Sequence, residues 1–156
     1  MPASLRLHAG AITAEDAAAR FAGALVPSLE HRRRTGPVAD GLVAVVAERD
    51  GLRLGVGLAQ IRPGTDIGEV LCLAVDAGAR RRGVGSALLA RLEGALAGAG
   101  CPVSQGTYRS DWAGAAAVEA LLAAAGWGAP TVQKLFYKVE LRAFDALPEI
   151  RALTLP

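Results

Sequence analysis

A chain of 156 residues that is 52% hydrophobic has apolar material for one packed core and too little length for two ordinary domains. A formal net charge of +2 with only 4% aromatic residues excludes a general electrostatic nucleic-acid binder, which needs a concentrated basic field. No apolar run approaches the roughly 20 residues of a membrane helix, and the start MPASLRLHAGAITAED lacks the charged lead and apolar stretch of an export signal; a cytoplasmic protein with no membrane contact is expected, a single domain over 1–156 with a core from about 4 to 141 and a tail over 142–156.

Residues 4-SLRLHA-9 alternate as a strand does, and Thr13 with Asp16 three positions later marks a helix start before 14-AEDAAARFAGAL-25. Pro27 and Gly36-Pro37 bracket 28-SLEHRRRT-35, a short second helix with cations at its end. The runs 42-LVAVVAER-49 and 52-LRLGVGLAQI-61 flank Asp50-Gly51, the dipeptide of a tight hairpin turn, and should pair antiparallel. A turn at 62-RPGTD-66 leads into 68-GEVLCLAV-75, completing a three-strand meander. Then the period changes: Val84, Leu88, Leu92 and Leu96 recur every four residues, a helix with one buried stripe that ends at Gly98 and Gly100. Beyond Pro102, 103-VSQGTY-108 is extended, 112-WAGAAAVEALLAAAG-126 is a second apolar helix, and 132-VQKLFYKVEL-141 alternates as a last strand. The fold class is α/β, with a mixed central sheet flanked by helices.

Glycine demands caution. The chain carries Gly-x-Gly at 55/57, 83/85, 98/100 and 126/128, and 19 glycines make some such pairs expected by chance. What distinguishes the pair at 83/85 is its setting, an apolar strand, then Arg80, Arg81 and Arg82, then the glycines, then an amphipathic helix. A strand that feeds a helix through such a turn builds an anion site, because the first helical N–H groups lack carbonyl partners, the helix dipole adds positive charge, and a missing Cβ lets phosphate reach the backbone. A nucleotide-triphosphate loop would need Gly-Lys-Ser/Thr, and Gly85 precedes Ser86 with no lysine; a dinucleotide fold would need a third glycine where Leu88 stands.

The remaining pattern, Arg80-Arg81-Arg82-Gly83-Val84-Gly85-Ser86 after an apolar strand, resembles the acetyl-coenzyme A site of the GNAT (GCN5-related) N-acetyltransferase family. The resemblance covers roughly 4 to 141 and is most specific over 69 to 96. It implies a sheet of about six or seven strands, splayed between the fourth and fifth. It also implies that backbone amides of Arg80, Arg81, Arg82, Gly83, Val84, Gly85 and Ser86 hold the coenzyme A pyrophosphate, and that Leu73, Ala74 and Val75 hydrogen-bond the pantetheine in the gap.

Acetyl transfer to an amine needs a base for the ammonium, a stabilised oxyanion and a proton for the leaving thiolate. Glu69 is the candidate base: it lies eleven residues before Arg80, the spacing of the general-base glutamate in the histone acetyltransferase branch of that family. Strict alternation would set it on one strand face with Leu71 and Leu73 and set Cys72 on the other. Many family members carry a tyrosine as acid four residues before a Gly-aromatic pair; here Leu122 stands four before Gly126-Trp127. Tyr108 is the candidate to take the role in its place, with Ser110 and Tyr137 as further candidates and water as another source of the proton.

Cys72 and Cys101 read as small hydrophobes in a reduced interior, and the isolated His8 and His31 argue against a metal. Trp112 and Trp127 read as packing anchors. The expected activity is N-acetyl transfer from acetyl-CoA to the primary amine of a small molecule or a protein; the alternative is a catalytically silent acyl-CoA-binding module. A homodimer through last-strand pairing is compatible with either, and neither needs nucleic acid.

Overall fold

The computed structural model describes residues 4–9 and 42–133. The helices expected over 14–25 and 28–35, the last strand from 134 onward and the tail lie outside the described residues, as do His31 and Tyr137. Five strands and two helices follow in order: β1 (Arg6–Ala9), β2 (Leu42–Arg49), β3 (Leu52–Ile61), β4 (Ile67–Val75), a 3-10 turn (Ala77–Ala79), α1 (Val84–Gly98), β5 (Val103–Gly106) and α2 (Ala115–Ala124). The strands form one sheet in the order β1-β2-β3-β4-β5. The first three pairings are antiparallel and β4–β5 is parallel, so the sheet is mixed. Among the described residues the sheet has five strands, below the expected six or seven, and 132–133 are not in a strand.

Local chemistry accounts for these elements. Asp50 (φ 53) and Gly51 (φ 75) both take the positive φ of a two-residue hairpin turn whose twist matches its strands. Both helices end by one device. Gly100 (φ 90) and Gly126 (φ 82) adopt the left-handed conformation, and the following residues, Cys101 and Trp127, donate their N–H groups to Leu96 and Leu122 carbonyls at 3.0 and 2.9 Å. Carbonyls that helix termination would strand are thereby satisfied. The second helix starts at Ala115, later than the 112 expected, because Arg109–Trp112 and Trp112–Ala115 backbone bonds first close two turns.

The core sits on both faces of the sheet. On one, α1 buries Val84, Leu88, Leu89, Leu92 and Leu96, most of them against Val45, Ala47 and Ala59, with Val70, Leu73 and Val75 at the margin. On the other lie Val46, Val56, Leu58, Cys72 and Ala74. Glycines in the strands make the helix fit. A Cβ on Gly55 would stand 2.8 Å from the Ala74 carbonyl and 2.9 Å from Leu88, one on Gly57 2.9 Å from Leu92, and one on Gly68 2.7 Å from Leu96. The 55/57 pair, uninformative as a motif, is therefore the groove in which the α1 leucines lie. Among the described residues no helix is long and apolar enough to cross a membrane.

Candidate cofactor and active site

Strand β4 is two strands in one. From Ile67 to Val70 it is paired on both edges, with β3 and with Val103–Gly106 of β5. The β5 ladder stops at Val70, yet β4 continues to Val75. At the division the register against β3 passes from Val70↔Ala59 to Cys72↔Leu58 and skips Leu71, a β-bulge in β4. A bulge adds one residue to one strand and resets its alternation.

That reset corrects the expected faces. Val70, Leu73 and Val75 pack toward α1, while Leu71, Cys72 and Ala74 pack on the opposite face. Glu69 pairs across from Gln60, which by alternation along β3 shares the face of Leu58 and Val56. Glu69 is therefore on the side of Leu71 and Cys72 and turned away from Leu73, because Leu71 is the extra residue.

Beyond the bulge the backbone direction can be assigned. Asp76 N–H donates to the Leu54 carbonyl at 2.8 Å, and bonded pairs alternate along an antiparallel ladder. Ala74 therefore directs its backbone groups to β3, and Leu73 and Val75 direct theirs to the edge that β5 has left. Of the three strand residues expected to bind pantetheine, the geometry offers Leu73 and Val75 and keeps Ala74 in the sheet. The Val75 carbonyl accepts a hydrogen bond from Arg80 Nε at 3.1 Å, in keeping with that direction.

The open half of β4 leads into the arginine turn. Asp76 Oδ1 accepts from Gly78 N–H at 2.9 Å and steadies the 3-10 turn. Arg81 (φ 61) and Gly83 (φ 79) then take left-handed backbone, and Gly83 caps α1 with no side-chain bond to the helix amides. The first backbone bond of α1 runs from Ala87 N–H to Gly83 at 3.0 Å, so the amides of Val84, Gly85 and Ser86 precede the helical ladder. Arg80, Arg81 and Arg82 are all exposed around them.

Whether these residues fit a phosphate-bearing cofactor is tested by the glycines. Gly83 is explained by its positive φ. At Gly85 a Cβ would meet only Leu121 and Val75, both at an ordinary 3.7 Å, and no positive φ is required there. Neither packing nor backbone strain demands glycine at 85, in contrast to 55, 57 and 68. A bare backbone at the start of a helix whose amides are unpartnered suits a ligand that approaches closely.

The residues expected to handle protons have partners the sequence did not show. Glu69 is half-buried; Gln60 Nε2 donates to its Oε2 at 2.9 Å and Arg62 Nη2 lies 3.6 Å from its Oε1. Tyr108, two residues beyond β5, donates its hydroxyl to Glu119 of α2 at 2.8 Å. That bond, with lesser help from desolvation and from the Glu119 charge, raises the phenol pKa above its ordinary 10.0. No hydrogen bond joins Tyr108 to Glu69 among the described residues. Ser110 is exposed, and Leu122 contributes its carbonyl to the helix end. Burial pushes the Cys72 thiol up to about 11, which leaves it protonated and unreactive near neutrality. Trp127 donates its indole N–H to Glu93, tying the end of α2 to α1, whereas Trp112 is half-exposed and lies over Gly114.

The comparison with known families decides the class: the profile of the acetyltransferase (GNAT) family matches residues 14–125. The chain belongs to the GNAT family. Solved structures agree on the fold. An aminoglycoside acetyltransferase from an uncultured soil metagenomic sample superimposes with a TM-score of 0.66 at 21% identity, covering 88% of this chain and 99% of that one. The aminoglycoside acetyltransferase AAC(6')-Iy, in complex with the bisubstrate analogue CoA-S-monomethyl-acetylneamine, gives 0.62 at 19% identity over 88% and 99%. Glucosamine-6-phosphate N-acetyltransferase from Arabidopsis thaliana gives 0.58 at 15% over 86% and 98%. A search of curated proteins finds no match. Identities this low carry the GNAT fold and leave the acceptor to chemistry.

Proposed function

We propose that this GNAT chain transfers an acetyl group from acetyl-CoA to a primary amine by direct attack in a ternary complex. One observation carries the reading: the edge of β4 that β5 abandons after Val70 runs straight into the turn after which the Val84, Gly85 and Ser86 amides precede the helical ladder. A strand-like edge followed by an anion cradle matches a cofactor that is an amide-containing arm at one end and a diphosphate at the other.

Acetyl-CoA supplies the activated acetyl group and a thiolate leaving group. The cradle amides, with those of Arg81–Gly83, hold the diphosphate, whereas Arg80 N–H is already donated to the Ala77 carbonyl at 3.4 Å; the adjacent guanidinium groups add charge-assisted bonds. Leu73 and Val75 offer backbone groups to the pantetheine arm, the Val75 carbonyl exchanging its Arg80 donor for the ligand. Glu69 stands in the closed half, one residue before the ladder ends, and there accepts the proton of the incoming ammonium directly or through water. Gln60 and Arg62 fix its carboxylate, so it is oriented before the amine arrives. Tyr108 supplies the thiolate proton by turning from Glu119.

Two measurements test this. Calorimetric titration with coenzyme A should show saturable binding, and acetyl-CoA should release thiol only when an amine is present. The panel begins with aminoglycosides and glucosamine 6-phosphate, the acceptor types of the similar structures, and continues with polyamines and peptide N-termini. Failure to bind coenzyme A would overturn the reading. Binding without thiol release from any amine would favour a silent acyl-CoA-binding module, to which the hydroxyl-free Leu122 and the engagement of Tyr108 by Glu119 lend support.

A further inference from the structure

We propose that Trp127 is a positioning residue for the cofactor, a strut that ties β5 and the end of α2 to α1 where β4 and β5 part and so fixes the width of the gap along the open half of β4. The proposal rests on the cofactor reading above and assigns the residue that keeps the gap ready for its ligand.

Three constraints place the ring. Gly126 (φ 82) and the bond from Trp127 N–H to the Leu122 carbonyl set its backbone. Its half-buried indole N–H donates to Oε1 of Glu93, which α1 carries. The far edge of the ring rests on Gly106, where a Cβ would stand 3.7 Å from Cζ3 and 4.0 Å from Cη2 of the indole and 3.5 Å from the Val70 carbonyl. Gly106 and Val70 form the last rung of the β4–β5 ladder. One side chain therefore joins the terminal rung to the helix that begins at the cradle.

Packing holds α2 weakly. Its residues AAAVEALLAA are small and apolar, yet among them only Ala115 is buried. The helix and its end nonetheless reach both ends of the open edge. Leu121 lies 3.7 Å from the place of a Cβ on Gly85, as does Val75, while Trp127 meets Gly106 at the fork. The position of this wall thus depends on its tethers. The Tyr108–Glu119 bond is exposed, whereas that of Trp127 is half-buried, goes to a carboxylate and comes with a large apolar ring. A gap whose wall drifts is fit for its ligand only part of the time, and the apparent affinity falls by that fraction. Glu69 faces away from α1 and is held by Gln60 and Arg62, so loss of the strut leaves its carboxylate in place.

Trp127→Phe keeps a ring over Gly106 and removes the N–H. Glu93→Leu removes the acceptor and leaves the ring, and it reads the same bond should the first variant fail to fold. Each should raise the Kd for coenzyme A in calorimetry, and the KM for acetyl-CoA, by about tenfold, with kcat within about twofold of the wild type. The double variant should bind no more weakly than either single one, because both remove one bond. Glu93→Gln, whose amide oxygen still accepts from the indole, should bind as the wild type does. In the unliganded chain, amide exchange over Val103–Gly106 should quicken by about tenfold in Trp127→Phe while β2 and β3 stay protected. Faster exchange with coenzyme A affinity and KM unchanged would make Trp127 a packing residue only and overturns the proposal, as does a loss of kcat at unchanged KM. A wild-type chain that binds no coenzyme A sinks the cofactor reading and this proposal with it. A wild type that binds, with variants that bind equally well, sinks the proposal alone.

Discussion

The two halves of β4 differ in what surrounds them and in what they are free to do. Ile67–Val70 is laced on both edges, and its one charged residue, Glu69, is held by Gln60 and Arg62. Leu71–Val75 keeps β3 on one edge and has left the β5 ladder on the other, while leucines of α1 buttress it from beneath. One sequence run of nine residues thus supplies a held carboxylate and an edge that β5 has left, separated by a single inserted residue. Under the proposed function chemistry belongs to the closed half and cofactor binding to the open half, and substitutions should separate along that line.

The largest expected effect falls on the closed half. Glu69→Gln keeps the size of the side chain and the fold of the strand but cannot take a proton. Turnover should fall by about 10²–10⁴-fold, with coenzyme A affinity by calorimetry close to wild type. Equal loss in both would mean that the residue holds the sheet together and does no chemistry. On the buttress beneath the open half, Leu92→Ala should cost about 2–5 kcal/mol in denaturant unfolding, since the side chain is fully buried and fills the groove left by Gly57. Coenzyme A would then recover part of the loss as a ligand-dependent rise in Tm.

A third substitution sharpens the boundary at the cradle. Gly85→Ala places a Cβ at ordinary contact distance from Val75 and Leu121 and should leave unfolding nearly unchanged. Gly85→Val adds branches beyond that distance, at the point where a diphosphate would meet the helix. It should weaken coenzyme A binding by about tenfold or more, with turnover at saturating cofactor affected less. If the valine variant binds as tightly as wild type, the cradle is somewhere else.

These divisions were partly legible in the chain itself. Two apolar runs around Asp50-Gly51 placed β2 and β3 to the residue, the four-residue spacing of Val84 through Leu96 placed α1, and the arginine–glycine turn marked the start of that helix. All three are local signals, set by periodicity or by the φ that a turn requires. The bulge at Leu71 has no such signal. It arises from the register of β4 against β3, so a strict two-residue period put Leu73 on the wrong face relative to Glu69 and separated Cys72 from it. The partners Gln60, Arg62 and Glu119 likewise depend on elements distant in sequence. Gly55, Gly57 and Gly68 could be given a reason only once the α1 leucines were seen lying over them.

The smallest effect concerns Tyr108, which lies past the end of β5 where the two halves part. Its hydroxyl bond to Glu119 stabilises the protonated phenol, so the folded pKa stands above the ordinary 10.0. The sign follows: a raised pKa contributes stability that is fully present below about pH 10 and is lost as pH climbs through the folded value. Because the group is exposed, the contribution is small and is best read by spectroscopy. In an ultraviolet titration of the phenolate, Glu119→Gln should move one tyrosine back toward 10.0, and Tyr108→Phe should remove that transition altogether. If the same Glu119→Gln variant also shifts the alkaline limb of the amine-dependent rate, Tyr108 is the proton source for the thiolate. A shift in the titration with no change in the rate would make the Tyr108–Glu119 pair a clasp between the β5 loop and α2, and would leave water to protonate the leaving group.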